Sequence, residues 1–286
     1  MPRTILFAFV LPLSLLVVIG MVAGCGGGAN ADISVSFKAD VDEGPVGPVD
    51  PPVDDLKGPA GTFVGRVSLT DAFAGRPALI EKGASLAIAK DEICSSTSVP
   101  DETLVVDGAG GVRDVFIFMD KVPKKLTKLP LPEKPVIFDQ KLCTFLPHAM
   151  VVRVGQKIQV WNSDPAAHNT HTRPKINSEF NSVVNAGDQS GDKSFQYKKP
   201  EKQPISVVCD FHGWMKAYHF PVDHPFATVT KADGTFEIKD IPPGKYRFKV
   251  WHSGKYLERK VEVVIKAGSP TKMDFNYSAQ KLLAAK

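Results

Sequence analysis

Two short stretches of the chain gather side chains able to hold a soft metal ion. One runs Asn162-Ser163-Asp164-Pro165-Ala166-Ala167-His168-Asn169-Thr170-His171, the other Val208-Cys209-Asp210-Phe211-His212-Gly213-Trp214-Met215. A thiolate, two imidazoles and a thioether suit copper, because sulfur ligands hold Cu(I) while imidazole serves both oxidation states. In Cys209-x-x-His212-x-x-Met215 a tight loop after a strand can direct three side chains at one point, and a distant loop then supplies His168. A His2Cys plane with a weak axial Met is the geometry of electron-transfer copper. His171 follows His168 by three residues, so on a strand it points to the opposite face and is the weaker candidate. Asn169 is read as a hydrogen-bonding tie between the two ligand loops, since outer partners fix the orientation of metal ligands. Taken singly, each type has a plainer use: Cys as a small buried hydrophobe, Met as core filler, His as a hydrogen-bonded or solvated side chain.

The elements that must position these residues are short strands. Gly and Pro contribute 23 residues each and Val-rich runs recur between turn residues, which favours strands joined by turns and an all-β fold. A length of 286 residues corresponds to about two domains at roughly 150 residues each. The formal charge of +4, with 23% charged residues, argues against a nucleic-acid partner. The chain has no Gly-x-Ser-x-Gly elbow, phosphate-binding loop or His-Glu-x-x-His motif, so it is read as a non-enzyme. It also lacks Cys-x-x-Cys-His, so any haem belongs to another chain. Cys209 has no second Cys in its loop and no His-x-His pair occurs, which leaves neither a dinuclear copper centre nor a multicopper oxidase.

Residues 133–222 resemble a cupredoxin, a small blue-copper β-sandwich of the plastocyanin and amicyanin kind. Phe145-Leu146-Pro147, then Val151-Val152-Arg153-Val154-Gly155-Gln156-Lys157-Ile158-Gln159-Val160-Trp161-Asn162, is similar to the family's Phe-x-Pro, strand, Gly, strand and Asn. His168-Asn169 matches its His-Asn pair, and the three-residue steps from Cys209 to His212 to Met215 match the short amicyanin loop. The resemblance implies a Greek-key sandwich holding one mononuclear Cu(I)/Cu(II) ion on His168, Cys209, His212 and Met215. It further implies one-electron exchange with a separate redox protein, such as a c-type cytochrome or an oxidoreductase, through an exposed edge of His212. Trp214 before Met215 departs from the family pattern. Two other readings stand beside the carrier: a copper-delivery protein without redox turnover, and a surface protein whose sandwich contacts carbohydrate or protein.

A second sandwich is expected from Thr228-Val229-Thr230-Lys231-Ala232-Asp233-Gly234-Thr235-Phe236-Glu237-Ile238 and from Ile241-Pro242-Pro243-Gly244-Lys245-Tyr246-Arg247-Phe248-Lys249-Val250-Trp251. The Asp233-Gly234 dipeptide between alternating segments is a hairpin signal. The pattern resembles the carboxypeptidase-regulatory-like, transthyretin-like β-sandwich. Thr62-Phe63-Val64-Gly65-Arg66-Val67 and Asp114-Val115-Phe116-Ile117-Phe118-Met119 supply further strands upstream. The expected arrangement is therefore residues 58–132 and 223–280 as two parts of one sandwich, with 133–222 inserted between them; its rival is three beads in series.

The first 25 residues carry Arg3, an apolar stretch and then Val22-Ala23-Gly24-Cys25, which reads as a signal peptide ending in a lipobox, with Cys25 the lipidated residue. An uncleaved anchor is the alternative. Residues 26–57 are rich in acids, Pro and Gly, as in a tether. These features predict an extracytoplasmic lipoprotein of the periplasm or cell surface, held to a membrane by its lipid. In such an oxidising compartment Cys94 and Cys143 are expected to pair, and removing the bond is expected to leave the metal site intact. The competing use of Cys143 is a second metal site with His148. His148, His219, His224 and His252 are otherwise read as structural or surface residues.

Overall fold

The computed structural model describes residues 58–127 and 130–283. Cys25, the signal segment and the tether lie outside them. In chain order the elements are β1 (Gly61–Leu69), α1 (Leu86–Ala89), α2 (Glu92–Ser96), β2 (Phe116–Met119), β3 (Val136–Lys141), β4 (Thr144–Leu146), β5 (Ala149–Arg153) and β6 (Ile158–Asn162). They continue with β7 (His168–Arg173), β8 (Asn181–Val184), β9 (Ser194–Phe195), β10 (Ile205–Val208), β11 (Lys216–Val222) and β12 (Ala227–Val229). The last are β13 (Thr235–Ile241), β14 (Gly244–His252), β15 (Lys255–Ile265), β16 (Pro270–Lys272), β17 (Phe275–Tyr277) and α3 (Ala279–Leu283). The protein is all-β, and among the described residues no helix is long and apolar enough to cross a membrane.

Strand alternation builds the first sandwich. The sheets β4-β3-β6-β9 and β5-β11-β10-β7-β8 meet over a core that includes Phe138, Phe145, Val152, Ile158, Val160, Val207 and Ala217. In the second, β13-β1-β16, with β17 also along β1, meets β12-β2-β14-β15 over Phe63, Val67, Ile117, Phe226, Phe236 and Phe248. β1 precedes residues 133–222 and pairs antiparallel with β13, which follows them, Phe63 opposite Ile238. β2 likewise pairs with β12 and β14.

Every residue of β2 is buried, because its sheet is covered on both faces. Ile117 and Met119 point into the second core, while Phe116 and Phe118 join Trp251, Tyr218, Phe220 and Val222 in a layer between the sandwiches. Trp251 meets Phe116 at 5.4 Å and Tyr218 at 5.0 Å, both edge to face. Burying aromatic side chains of this size stabilises by about 2–3 kcal/mol each.

Two expectations about local structure are corrected. The turn at Asp233-Gly234 forms, with the Gly234 N–H donating to Lys231 O at 2.9 Å, but the strands it joins lie in different sheets. The cause is Thr230, whose hydroxyl accepts the Val115 N–H at 2.9 Å and donates to Val112 O at 2.8 Å, holding the end of β12 beside β2. The second concerns residues 80–99, assigned by position to the other sandwich. Ile80, Ala89, Cys94 and Val99 instead pack in the core shared by residues 133–222. The segment forms a cap carrying α1 and α2, closed by an Ile80–Val99 bridge and by a disulfide between Cys94 and Cys143.

Candidate metal centre

β7 and β10 are antiparallel neighbours, with Val208 opposite His171. This pairing brings His168, the first residue of β7, next to Cys209, which leaves β10. The chain from Cys209 to Met215 is a closed loop: the Met215 N–H donates to His212 O at 2.9 Å and the Cys209 N–H to Met215 O at 3.3 Å. His212 is thereby turned back toward Cys209. The donor atoms of His168, Cys209 and His212 all lie within 4.8 Å of one another. The two imidazoles face each other through Nδ1 atoms 2.9 Å apart, and His212 Nδ1 is 3.6 Å from Cys209 Sγ. Met215 is buried in the same core as Cys209.

Asn169 ties the two loops together. Its N–H donates to Cys209 Sγ at 3.4 Å and its side-chain oxygen accepts the Asp210 N–H. Asn162 shapes the preceding loop, its amide donating to Ala166 O, Val184 O and Asn185 O. His171 lies on the other face of β7, with Nδ1 2.8 Å from Asp210 Oδ2 and Nε2 3.1 Å from Glu179 Oε2.

Two carboxylates that the sequence reading missed orient the imidazoles. Asp164 Oδ2 accepts from His168 Nε2 at 2.8 Å, and Asp91 Oδ2 accepts from His212 Nε2 at 2.7 Å. A carboxylate can only accept here, so both rings carry hydrogen on Nε2 and turn Nδ1 inward. Asp164 stands four residues before His168, a spacing that could have been noticed; Asp91 is 121 residues from His212 and has no local signal.

Burial alone pushes the Cys209 thiol up, but His168, His212 and the Asn169 N–H bring its pKa down to about 6. Burial likewise disfavours charge on His168, yet Asp164 and Cys209 raise its pKa to about 9. Both shifts favour a thiolate beside an imidazolium, and a cation held between them would take the place of a proton.

The expected exposed edge of His212 is not found. Its side chain is 1% exposed, because Asp91 and the cap cover it, while the neighbouring Phe211 is 47% exposed. Nor do Cys143 and His148 make a second site: Cys143 is in the disulfide, and His148 Nδ1 stands 3.4 Å from Glu102 Oε2. His219 Nδ1 shares a 2.9 Å hydrogen bond with Tyr197 Oη, His224 accepts the Phe226 N–H at 3.1 Å, and His252 is buried beside the inter-sandwich layer.

Residues 203–273 match a family model described as polysaccharide lyase family 4, domain II. No curated protein matches the chain. Among solved structures, a copper-containing nitrite reductase from Thermus scotoductus is 17% identical over 32% of this chain, with a TM-score of 0.28. The match spans 23% of that reductase's length. A purple cupredoxin from Nitrosopumilus maritimus is 19% identical over 30% of this chain and 99% of its own, with a TM-score of 0.24. An oxidised amicyanin mutant is 11% identical over 32% of this chain and 86% of its own, with a TM-score of 0.27.

Proposed function

We propose that this protein is a one-electron carrier built on a single copper ion that His168, Cys209 and His212 would hold, with Met215 as a further sulfur donor. The observation that carries the reading is the convergence of a thiolate sulfur and two imidazole nitrogens within 4.8 Å, in a buried pocket of one sandwich. One sulfur and two nitrogens are the donor set that copper accepts in both oxidation states. When bound, copper supplies the Cu(II)/Cu(I) couple. The chain's own residues do the rest. Asp164 and Asp91 fix the imidazole orientations, Asn169 fixes the thiolate, and burial of all three donors excludes water and small ligands. Donors held in this way move little when the charge at the centre changes.

The same burial weighs against a delivery protein, which must expose its ligands to an acceptor, and against an enzyme, which must admit a substrate. The N-terminal pattern ending at Cys25 supports an extracytoplasmic lipoprotein, so the redox partner is a separate protein there, such as a c-type cytochrome or an oxidoreductase. The deciding experiment adds one equivalent of Cu(II) to metal-free protein and records the visible spectrum. An intense thiolate-to-copper absorption is expected, absent in Cys209→Ser; its absence from the parent protein, or its survival in the variant, would refute the site. Reversible voltammetry then separates a carrier from a delivery protein.

A further inference from the structure

We propose that Asp91 and the Cys94–Cys143 disulfide act as one brace that orients the ligand histidines, with Asp91 the positioning residue for His212. The inference rests on reading His168, Cys209 and His212 as ligands, and it adds a part supplied from outside residues 133–222. Asp91 stands at the N-cap of α2, yet its side chain makes no capping hydrogen bond to that helix. An Asp at this position ordinarily accepts an N–H of the first turn. Here the carboxylate is spent on His212 Nε2 instead, at 2.7 Å.

The disulfide explains how so short an element can aim a carboxylate. α2 has five residues, too few to persist unaided. The Asp91 side chain is 41% exposed, and among the described residues His212 is its one hydrogen-bond partner. Cys94, three residues further on, bonds Cys143 and closes 49 residues of chain. Its sulfur lies within 4.8 Å of the Asp91 oxygen and the His212 nitrogen, and the Cys143 sulfur stands in the same relation to Asp164 and His168. The Cys143 N–H also donates to Asp164 Oδ2 at 2.9 Å, the oxygen that takes His168 Nε2. The chain thus forms a ring around the donors, from His212 through Asp91, Cys94, Cys143 and Asp164 to His168. Both cysteines are fully buried, which makes the bond a permanent brace and not a site of thiol exchange. With the brace absent, His212 is free to turn its Nε2 hydrogen elsewhere or to move the hydrogen to Nδ1, where it blocks the metal-binding lone pair.

The test uses Asp91→Asn, which keeps an accepting oxygen, Asp91→Ala, which removes it, and the double variant Cys94→Ser with Cys143→Ser. In the metal-free full chain, nitrogen NMR should show His212 protonated on Nε2 in the parent and in Asp91→Asn, and a mixed or inverted tautomer in Asp91→Ala. Competition titration with Cu(II) should show affinity 10–100-fold weaker in Asp91→Ala, the usual effect of losing such an outer partner, with rescue in Asp91→Asn. The double cysteine variant should lose affinity to the same degree, and adding Asp91→Ala to it should cost little more, because residues of one unit are not additive. An Asp91→Ala protein with parental tautomer and affinity would overturn the proposal, as would losses that add in full. Should the double variant not fold, the Asp91 pair decides with the disulfide intact. Should the parent bind Cu(II) without thiolate absorption, the ligand reading fails while the metal-free tautomer comparison still decides the brace.

Discussion

Replacing Asp164 by Ala should be among the most damaging single changes near the donors, and its size can be worked out. The carboxylate accepts the Leu142 N–H at 2.6 Å, the Cys143 N–H at 2.9 Å and His168 Nε2 at 2.8 Å, in a buried position. Hydrogen bonds to a charged group contribute about 1.5–3 kcal/mol each. Two of the donors sit in strained backbone, Leu142 at φ +52° and Cys143 at φ +56°. They are the central pair of the β3–β4 hairpin, a place that normally takes Asn-Gly, and left-handed non-glycine residues cost on the order of 1–3 kcal/mol each unless surrounding contacts hold them. Asp164→Ala should therefore lose about 4 kcal/mol or more of unfolding free energy, and Asp164→Asn about 2 kcal/mol, because the amide oxygen still accepts from one or two of the donors. The pH dependence has a definite sign. Burial pushes this carboxyl up, but His168 and then the Cys143 and Leu142 N–H groups outweigh it and hold the pKa below the usual carboxylate range. The contribution is then fully present above the unfolded value near 3.9 and is lost as pH falls through the folded value. Urea unfolding of the metal-free protein, disulfide intact, at pH 7 and at lower pH checks both points. A loss below about 1 kcal/mol at pH 7 in Asp164→Ala, or a gap from the parent that widens in acid, would refute the reasoning.

Three further outcomes are expected. Burial holds the His219 pKa down to about 3, so the unfolded state takes up its proton first and stability falls as pH drops below 6.5. At pH 5 this amounts to about 2 kcal/mol, and urea unfolding of His219→Phe should show a correspondingly shallower decline. Thr230→Val should lose about 1–3 kcal/mol in the same assay, since it leaves the buried Val115 N–H and Val112 carbonyl without their hydroxyl partner. Mass spectrometry of the mature protein should find Cys25 as an acylated N-terminus; an unmodified Met1 would mean a helical anchor instead.

The part of the site that was legible is the part written in adjacent residues. Cys209, His212 and Met215 share one loop, and their spacing alone says that they can converge. His168 came from the nature of the donor set, and the β7–β10 pairing that unites it with Cys209 is a long-range event. Asp91 was illegible because nothing near it in sequence differs from an ordinary helix cap; only a tertiary contact turns its carboxylate away. The covered His212 edge follows from the same cause, and so does the closeness of both cysteine sulfurs to the histidines, which no sequence spacing announces. The hairpin at Leu142-Cys143 carries no Gly or Asn to announce it, since Asp164 supplies from elsewhere what turn residues normally supply themselves. The crossing at Asp233-Gly234 shows the converse: a strong local signal fixed the turn, while Thr230 decided which sheet each arm would join.

β2 and the Trp251 end of β14, apolar on both faces of their sheet, bear on how far the two sandwiches can be separated. A module able to stand alone must present a wettable surface once cut free. Residues 133–222 do not: excised, they would bare Tyr218, Phe220 and Val222 as one sticky patch and forfeit the cap that carries Asp91. The two sandwiches and the cap are therefore expected to fold as one unit. A substitution in β2 or at Trp251 must satisfy packing on two sides at once, and residues 133–222 expressed alone are expected to aggregate.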